Sequence, residues 1–112
     1  MPIGSTYPSE TRTQRDTKTG IAVRQVTSFA SIHHHPFYYI PAYDDSGRRL
    51  FFVSHRTGHP QLFFEDQPGG SLVQITDRDD LNEWSCHPSH DGKYAYYTAG
   101  NTAWRVNLET MC

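Results

Sequence analysis

Two segments of this chain repeat one another's turn chemistry, and that repetition narrows the possible folds more than any other feature. "DDSGRRLFFVSH" and "SHDGKYAYYTAG" each carry an Asp/Ser-rich turn closed by a glycine, then a basic residue and an aromatic strand. Gly47 and Gly92 stand 45 positions apart. A second pair, "TGIAVRQVT" and "GGSLVQIT", leaves a glycine, runs through a strand and ends in Gln-x-Thr, with Gln25 and Gln74 separated by 49 positions. No stretch places apolar residues at helical spacing over three turns, whereas short aromatic and β-branched runs alternate with Gly, Asp and Pro. Strands are expected over Ile21 to Thr27, Phe37 to Ala42, Leu50 to Ser54, Gln61 to Glu65, Leu72 to Thr76, Trp84 to Cys86, Tyr94 to Thr98 and Ala103 to Asn107. Four short strands per period in the forties is the pattern of a β-propeller blade; chance likeness between two hairpins is the bland alternative.

The expected fold class is therefore all-β, a β-propeller fragment of about one and a half to two blades of four-stranded antiparallel sheet. Residues 1–20 read as a polar N-terminal segment and 21–112 as partial propeller. Within it, 21–27 is a closing strand that completes the last blade of a longer parent, 37–76 a whole blade, and 84–112 an incomplete one. A propeller ring needs about four to eight blades, so the chain is expected to be the N-terminal part of a longer protein. Alone it is expected to be marginal or aggregation-prone, with Phe51, Phe52, Phe63 and Phe64 supplying exposed aromatic faces.

Composition excludes several classes. With 112 residues and a formal net charge of −2, no basic field is available for nucleic acid. Seven Tyr, six Phe and two Trp make the chain too aromatic for disorder, and 20% charged residues make it too polar for a membrane span. The start, "MPIGSTYPSETRTQRDTKTG", lacks the apolar core of a secretory signal, so a cytoplasmic location is expected. Cys86 and Cys112 form neither a disulfide framework nor a CxxC pair and read as free thiols.

The succession "DTKTGIAVRQVT", "HHHPFYYIPAYDDSGRRLFFVSHRTGHPQLFFED", "GGSLVQITDRDDLNEWSCHPSHDGKYAYYTAG" and "TAWRVNLET" resembles the N-terminal region of the oligogalacturonate lyases, over residues 16 to 110. The Asp-x-Gly-basic strands and Gln-x-Thr ends are shared more widely with TolB-like propeller repeats. The resemblance implies a seven-bladed parent that cleaves short pectin-derived oligogalacturonates by β-elimination. It also implies a Mn2+ cofactor whose ligands are expected beyond residue 112. The expected partners are the oligogalacturonate substrate and the remaining blades, with no nucleic acid and no membrane. No catalytic or metal residue of the family matches a position in this chain. The alternative function is a non-catalytic TolB-like propeller module that binds protein or carbohydrate.

Three consecutive histidines, His33, His34 and His35, suggest a metal site at first sight, but adjacent residues of an extended chain point to opposite faces and cannot easily converge on one ion. Blade geometry sends the loops after the outermost strand and between the second and third strands to one rim. That places His33, His34 and His35 with His55, Arg56 and His59, and brings Asn82 and Trp84 to the same side. These eight residues are the candidate substrate lining: Arg pairs bidentately with carboxylates, and aromatic faces pack on pyranose rings. For the triplet, a satisfied structural loop is favoured over substrate lining, with metal ligation least favoured; the cluster reads as a lining for substrate and not as a metal cage. Arg56 is either a solvated loop charge or a carboxylate ligand, and Trp84 either a blade-core aromatic or a sugar platform. His87 and His90 read as turn residues of the opposite rim. Glu65 and Asp66 flank a far-side turn, and Asp77, Asp79 and Asp80 would repel a uronate.

Overall fold

A computed structural model describes residues 3–36 and 40–111 of the chain. The described residues form ten β-strands and no helix: β1 (Thr6–Tyr7), β2 (Arg12–Arg15), β3 (Ala22–Gln25), β4 (His33–His34), β5 (Leu50–Ser54), β6 (Gln61–Glu65), β7 (Leu72–Gln74), β8 (His87–Pro88), β9 (Tyr94–Ala99) and β10 (Thr102–Asn107). They make an antiparallel sheet of five strands in the order β1-β7-β6-β5-β4, a second of three in the order β10-β9-β8, and a separate β2-β3 ribbon. The all-β, antiparallel architecture expected from the repeat is the one observed.

The period-2 alternation of the aromatic strands generates both faces of the first sheet. Register pairs Phe51 with Phe64 and Val53 with Leu62 on one face, and Phe52 with Phe63 on the other. The first face joins Val73, Ile75, Leu81, Cys86, Ala95, Tyr97, Ala99, Val106 and Leu108 in the main core, which lies between the two larger sheets. The second face, with Phe52, Phe63 and Leu72, packs against Tyr7 and Val26 from the N-terminal segment. The expectation that Phe51, Phe52, Phe63 and Phe64 would be exposed is therefore corrected, since none is more than 6% exposed. Each face finds a cover within the chain.

Three elements differ from the sequence expectation. Residues 1–20 contain β1, which extends the first sheet by pairing with β7, and β2, which pairs with β3 in register Arg12 to Gln25. The innermost strand was expected at Phe37 to Ala42, where Phe37 to Tyr39 lie outside the described residues. Among the described residues, the ladder on β5 is made by His33 and His34 and by a Tyr43–Leu50 bridge. Pro36 and Pro41 stand in the interval, and a proline has no N–H to donate to a ladder. The strand expected at Trp84 to Cys86 is displaced to β8. Asn82 holds its neighbours in a turn, accepting from Trp84 N at its Oδ1 (3.1 Å) and from Ser85 N at its carbonyl (3.0 Å).

The repeated turns share their backbone. Gly47 N donates to Asp44 O at 3.0 Å and Gly92 N to Ser89 O at 3.1 Å. Both glycines sit at positive φ, 69° and 75°. The two turns also touch, because Asp45 N donates to His90 O.

Candidate functional site

The register of β4 on β5 sorts the histidine triplet. His33 lies opposite Ser54 and His34 opposite Val53. Directly opposite residues share a face, as do residues two apart on one strand, so His34 and His55 are diagonal neighbours on the face that carries Val53. The bond from His55 N to Ile32 O, 2.9 Å, extends the ladder far enough to hold them there. Their rings stand 6.2 Å apart.

That face looks toward the connection between the two larger sheets, which supplies Glu83 and Trp84. The Glu83 carboxylate reaches both imidazoles, with Oε1 at 3.3 Å from His34 Nε2 and Oε2 at 3.5 Å from His55 Nε2. Trp84 stacks on the His34 ring at 4.5 Å and remains 51% exposed. His34 Nδ1 must carry a hydrogen, because it donates to the carbonyl of His35 at 2.9 Å. In the neutral ring Nε2 is then a lone pair aimed at Glu83. Both Nε2 atoms are buried and neither makes a hydrogen bond among the described residues.

The other two members of the triplet face elsewhere. His33 lies on the opposite face, edge-on to Phe52 at 6.3 Å, and donates from Nε2 to Phe29 O at 3.0 Å. His35 is exposed and donates from Nδ1 to Pro36 O at 2.6 Å. Val26, Thr27, Leu50, Phe51 and Phe52 line a cavity of about 230 Å3 together with the triplet. Asn82 is exposed and holds the turn that presents Glu83 and Trp84.

Arg56 does not offer its guanidinium to solvent, which corrects its reading as a carboxylate ligand. Its side chain is 3% exposed and forks onto Glu10 through Nη1 (2.6 Å) and Nη2 (3.1 Å). The rings of Tyr7, Phe29 and Phe63 enclose it at 5.0 to 5.3 Å. A cation already paired and stacked on three rings has no fork left for a second carboxylate. Burial raises the Glu10 carboxyl, but the Arg56 hydrogen bond and the N–H groups of Ser28 and Phe29 outweigh it and hold the group below its ordinary value.

His59 is exposed and shares a depression of about 520 Å3 with Thr57, Gln61, Asp77, Arg78 and Asp79. Arg78 is paired with Asp80 at 2.7 Å. The floor is tied by the Gln61 amide, which bonds to Arg78 O and accepts from Thr76 Oγ1 and Arg78 N. Asp77 and Asp79 line this depression beside Arg78. His87 donates to Pro88 O, and His90 lies 3.5 Å from Asp45. Glu65 is buried and paired with Arg24 at 2.6 Å, a structural bond between the ribbon and the first sheet. Cys86 is a buried free thiol pushed up to about 12, first by burial and then by the Glu83 charge, so it is no nucleophile at neutral pH. The site thus contains one residue that sequence reasoning did not single out, Glu83. One carboxylate among twelve acidic residues has no spacing signal of its own.

No family model and no curated protein matches the sequence. Solved structures do. An oligogalacturonate lyase from Vibrio parahaemolyticus is 21% identical with a TM-score of 0.89, the match covering 99% of this chain and 30% of that one. An oligogalacturonate lyase in complex with manganese is 24% identical with a TM-score of 0.90, covering 100% of this chain and 30% of that one. The resemblance read from the sequence and the likeness in three dimensions point to the same proteins. This chain has the propeller fold of the oligogalacturonate lyase structures, over a stretch equal to 30% of their length.

Proposed function

We propose that this chain is part of a cytoplasmic oligogalacturonate lyase, contributing propeller scaffold and a segment of the substrate rim. The observation that carries the reading is the superposition of the whole chain on two such lyases with TM-scores of 0.89 and 0.90. The sequence resemblance over residues 16 to 110, read without any structure, supports it independently.

In β-elimination on a uronate, a base removes the C5 proton and the 4-oxygen leaves. A divalent cation against the uronate carboxylate would supply acidification of that proton, and manganese is the ion the resemblance implies. No residue of this chain is assigned the proton transfer. Its part is binding: the half-exposed Trp84 indole, steadied by its stack on His34, offers a flat apolar face to a pyranose ring. Asn82 sets the height of that face through the turn it holds.

The test is steady-state kinetics of the protein that carries this chain with its remaining blades, on di- and trigalacturonate, followed by absorbance of the unsaturated product. Trp84→Ala is expected to raise KM about three- to tenfold, equivalent to about 0.7–1.4 kcal/mol, with kcat nearly unchanged. Absence of any unsaturated product from the unsubstituted protein would replace the lyase reading with a non-catalytic TolB-like binding module.

A further inference from the structure

We infer that His34, His55 and Glu83 form a binding site for a divalent transition-metal ion. The three ligand atoms come from three separate elements, β4, the loop after β5 and the connection before β8. They all lie within 4.8 Å of one another, the one cluster of its kind among the described residues. The donor set is two imidazoles and a carboxylate. That combination suits zinc, manganese, iron or cobalt, whereas magnesium and calcium prefer all-oxygen shells.

Three details of geometry favour an ion over a simple polar contact. The first is the unbonded ring nitrogens: His34 Nε2 and His55 Nε2 are both buried, both face the carboxylate, and neither makes a hydrogen bond among the described residues. Two adjacent buried nitrogens without a hydrogen bond are costly unless something else satisfies them. The second is spacing. Two ligands each about 2.1 Å from one ion, at tetrahedral or octahedral angles, stand about 3.0–3.4 Å apart. The nitrogen-to-oxygen distances here, one to each oxygen of the Glu83 carboxylate, are 3.3 and 3.5 Å, the first inside that range and the second just beyond it. The third is the outer shell: the His34 Nδ1–H bond to a backbone carbonyl fixes the tautomer whose Nε2 can ligate, as the partners of metal-bound histidines do. Trp84 then locks the ring plane by stacking. Three protein ligands leave coordination positions for water or an oxyanion.

The site rests on residues of this chain and stands or falls independently of the lyase reading. Its test uses the 112-residue chain itself, freed of metal by chelator and titrated with Zn2+ while the imidazole nitrogens are observed by long-range 1H–15N NMR. The expected result is saturation at one ion per chain, with the Nε2 resonances of His34 and His55 moving and those of His87 and His90 unmoved. Mn2+ should broaden the same two rings selectively. In calorimetry, Glu83→Gln and His55→Ala should each weaken Zn2+ binding about tenfold or more, while His87→Ala leaves it unchanged. No saturable response of the His34 and His55 nitrogens, or equal loss in the His87→Ala protein, would overturn the site. The unsubstituted chain decides the question through its own spectra even if a variant fails to fold.

Discussion

At the residue scale the clearest surprise is Arg56, whose sequence context, a basic residue in a rim loop, suggests a solvent-facing ligand. Its charge is instead spent on Glu10, 46 positions away, inside a ring of three aromatics. Removing Glu10 leaves the Arg56 charge buried without its counter-ion, so Glu10→Ala should cost about 3 kcal/mol, visible as a lower urea midpoint. Arg56→Ala should lower the midpoint somewhat less, because the Ser28 and Phe29 N–H groups still hold the carboxylate. A variant with an unshifted midpoint would show that the pair is not held. The same pair sets a pH dependence. The folded Glu10 carboxyl lies below its ordinary 4.5, so the folded state favours its ionised form. The stability this contributes is fully present above the unfolded value and is lost as pH falls through the folded one. The difference in stability between the unsubstituted chain and Glu10→Gln should therefore shrink on acidification below about pH 4.5 and be constant above about pH 6.

At the element scale the repeat is written in two turns whose glycines do the same conformational task. Gly47 and Gly92 adopt positive φ, a region where a Cβ costs roughly 1–2 kcal/mol. Gly47→Ala should lower stability by about 1–2 kcal/mol through backbone strain alone, because nothing lies within 4 Å of the added carbon. Gly92→Ala should cost at least as much, since its Cβ would come 2.5 Å from Asp44 Oδ2 and the aspartate must swing aside. Asparagine at either position should be tolerated better, as it visits the left-handed region more readily. Thermal melts of the four variants decide this; equal stability of the Ala and Asn forms would refute the φ argument.

At the scale of the whole molecule, the first sheet is covered on both faces and the second on only one. The outer face of β9 and β10 leaves Tyr96 at 42% exposure, with Arg105 lying over Tyr94 at 4.4 Å. β10 is also an edge strand, presenting unpaired backbone groups. The chain by itself should therefore self-associate through its second sheet, with a melt that depends on concentration. Tyr96→Lys should shift sedimentation toward monomer without lowering the melting temperature by more than a few degrees. A sharp, reversible, concentration-independent melt of the unsubstituted monomer would refute this. What is liable to associate is not the Phe51, Phe52, Phe63 and Phe64 set that their composition suggested, because those rings are the core.

The contrast has a physical basis. Strands β5, β6, β9 and β10 were legible because short aromatic and β-branched runs between Gly, Asp and Pro, and a glycine-closed turn, are local signals carried by residues a few positions apart. The fold class followed from the repetition of those runs and turns at steps of 45 and 49 positions. What lay beyond the sequence depends on pairings between distant residues. The ladder on β5 includes His33 and His34, and a shift of one residue there exchanges which histidine meets Glu83. Glu10 finds Arg56, and Thr6 and Tyr7 find β7, only because the N-terminal segment lies across the first sheet. Those contacts are decided by register and by the closure of long loops, which no local pattern encodes. So sequence alone determined strands, turns and class, while the tertiary structure decided which histidine, which arginine and which carboxylate share a site.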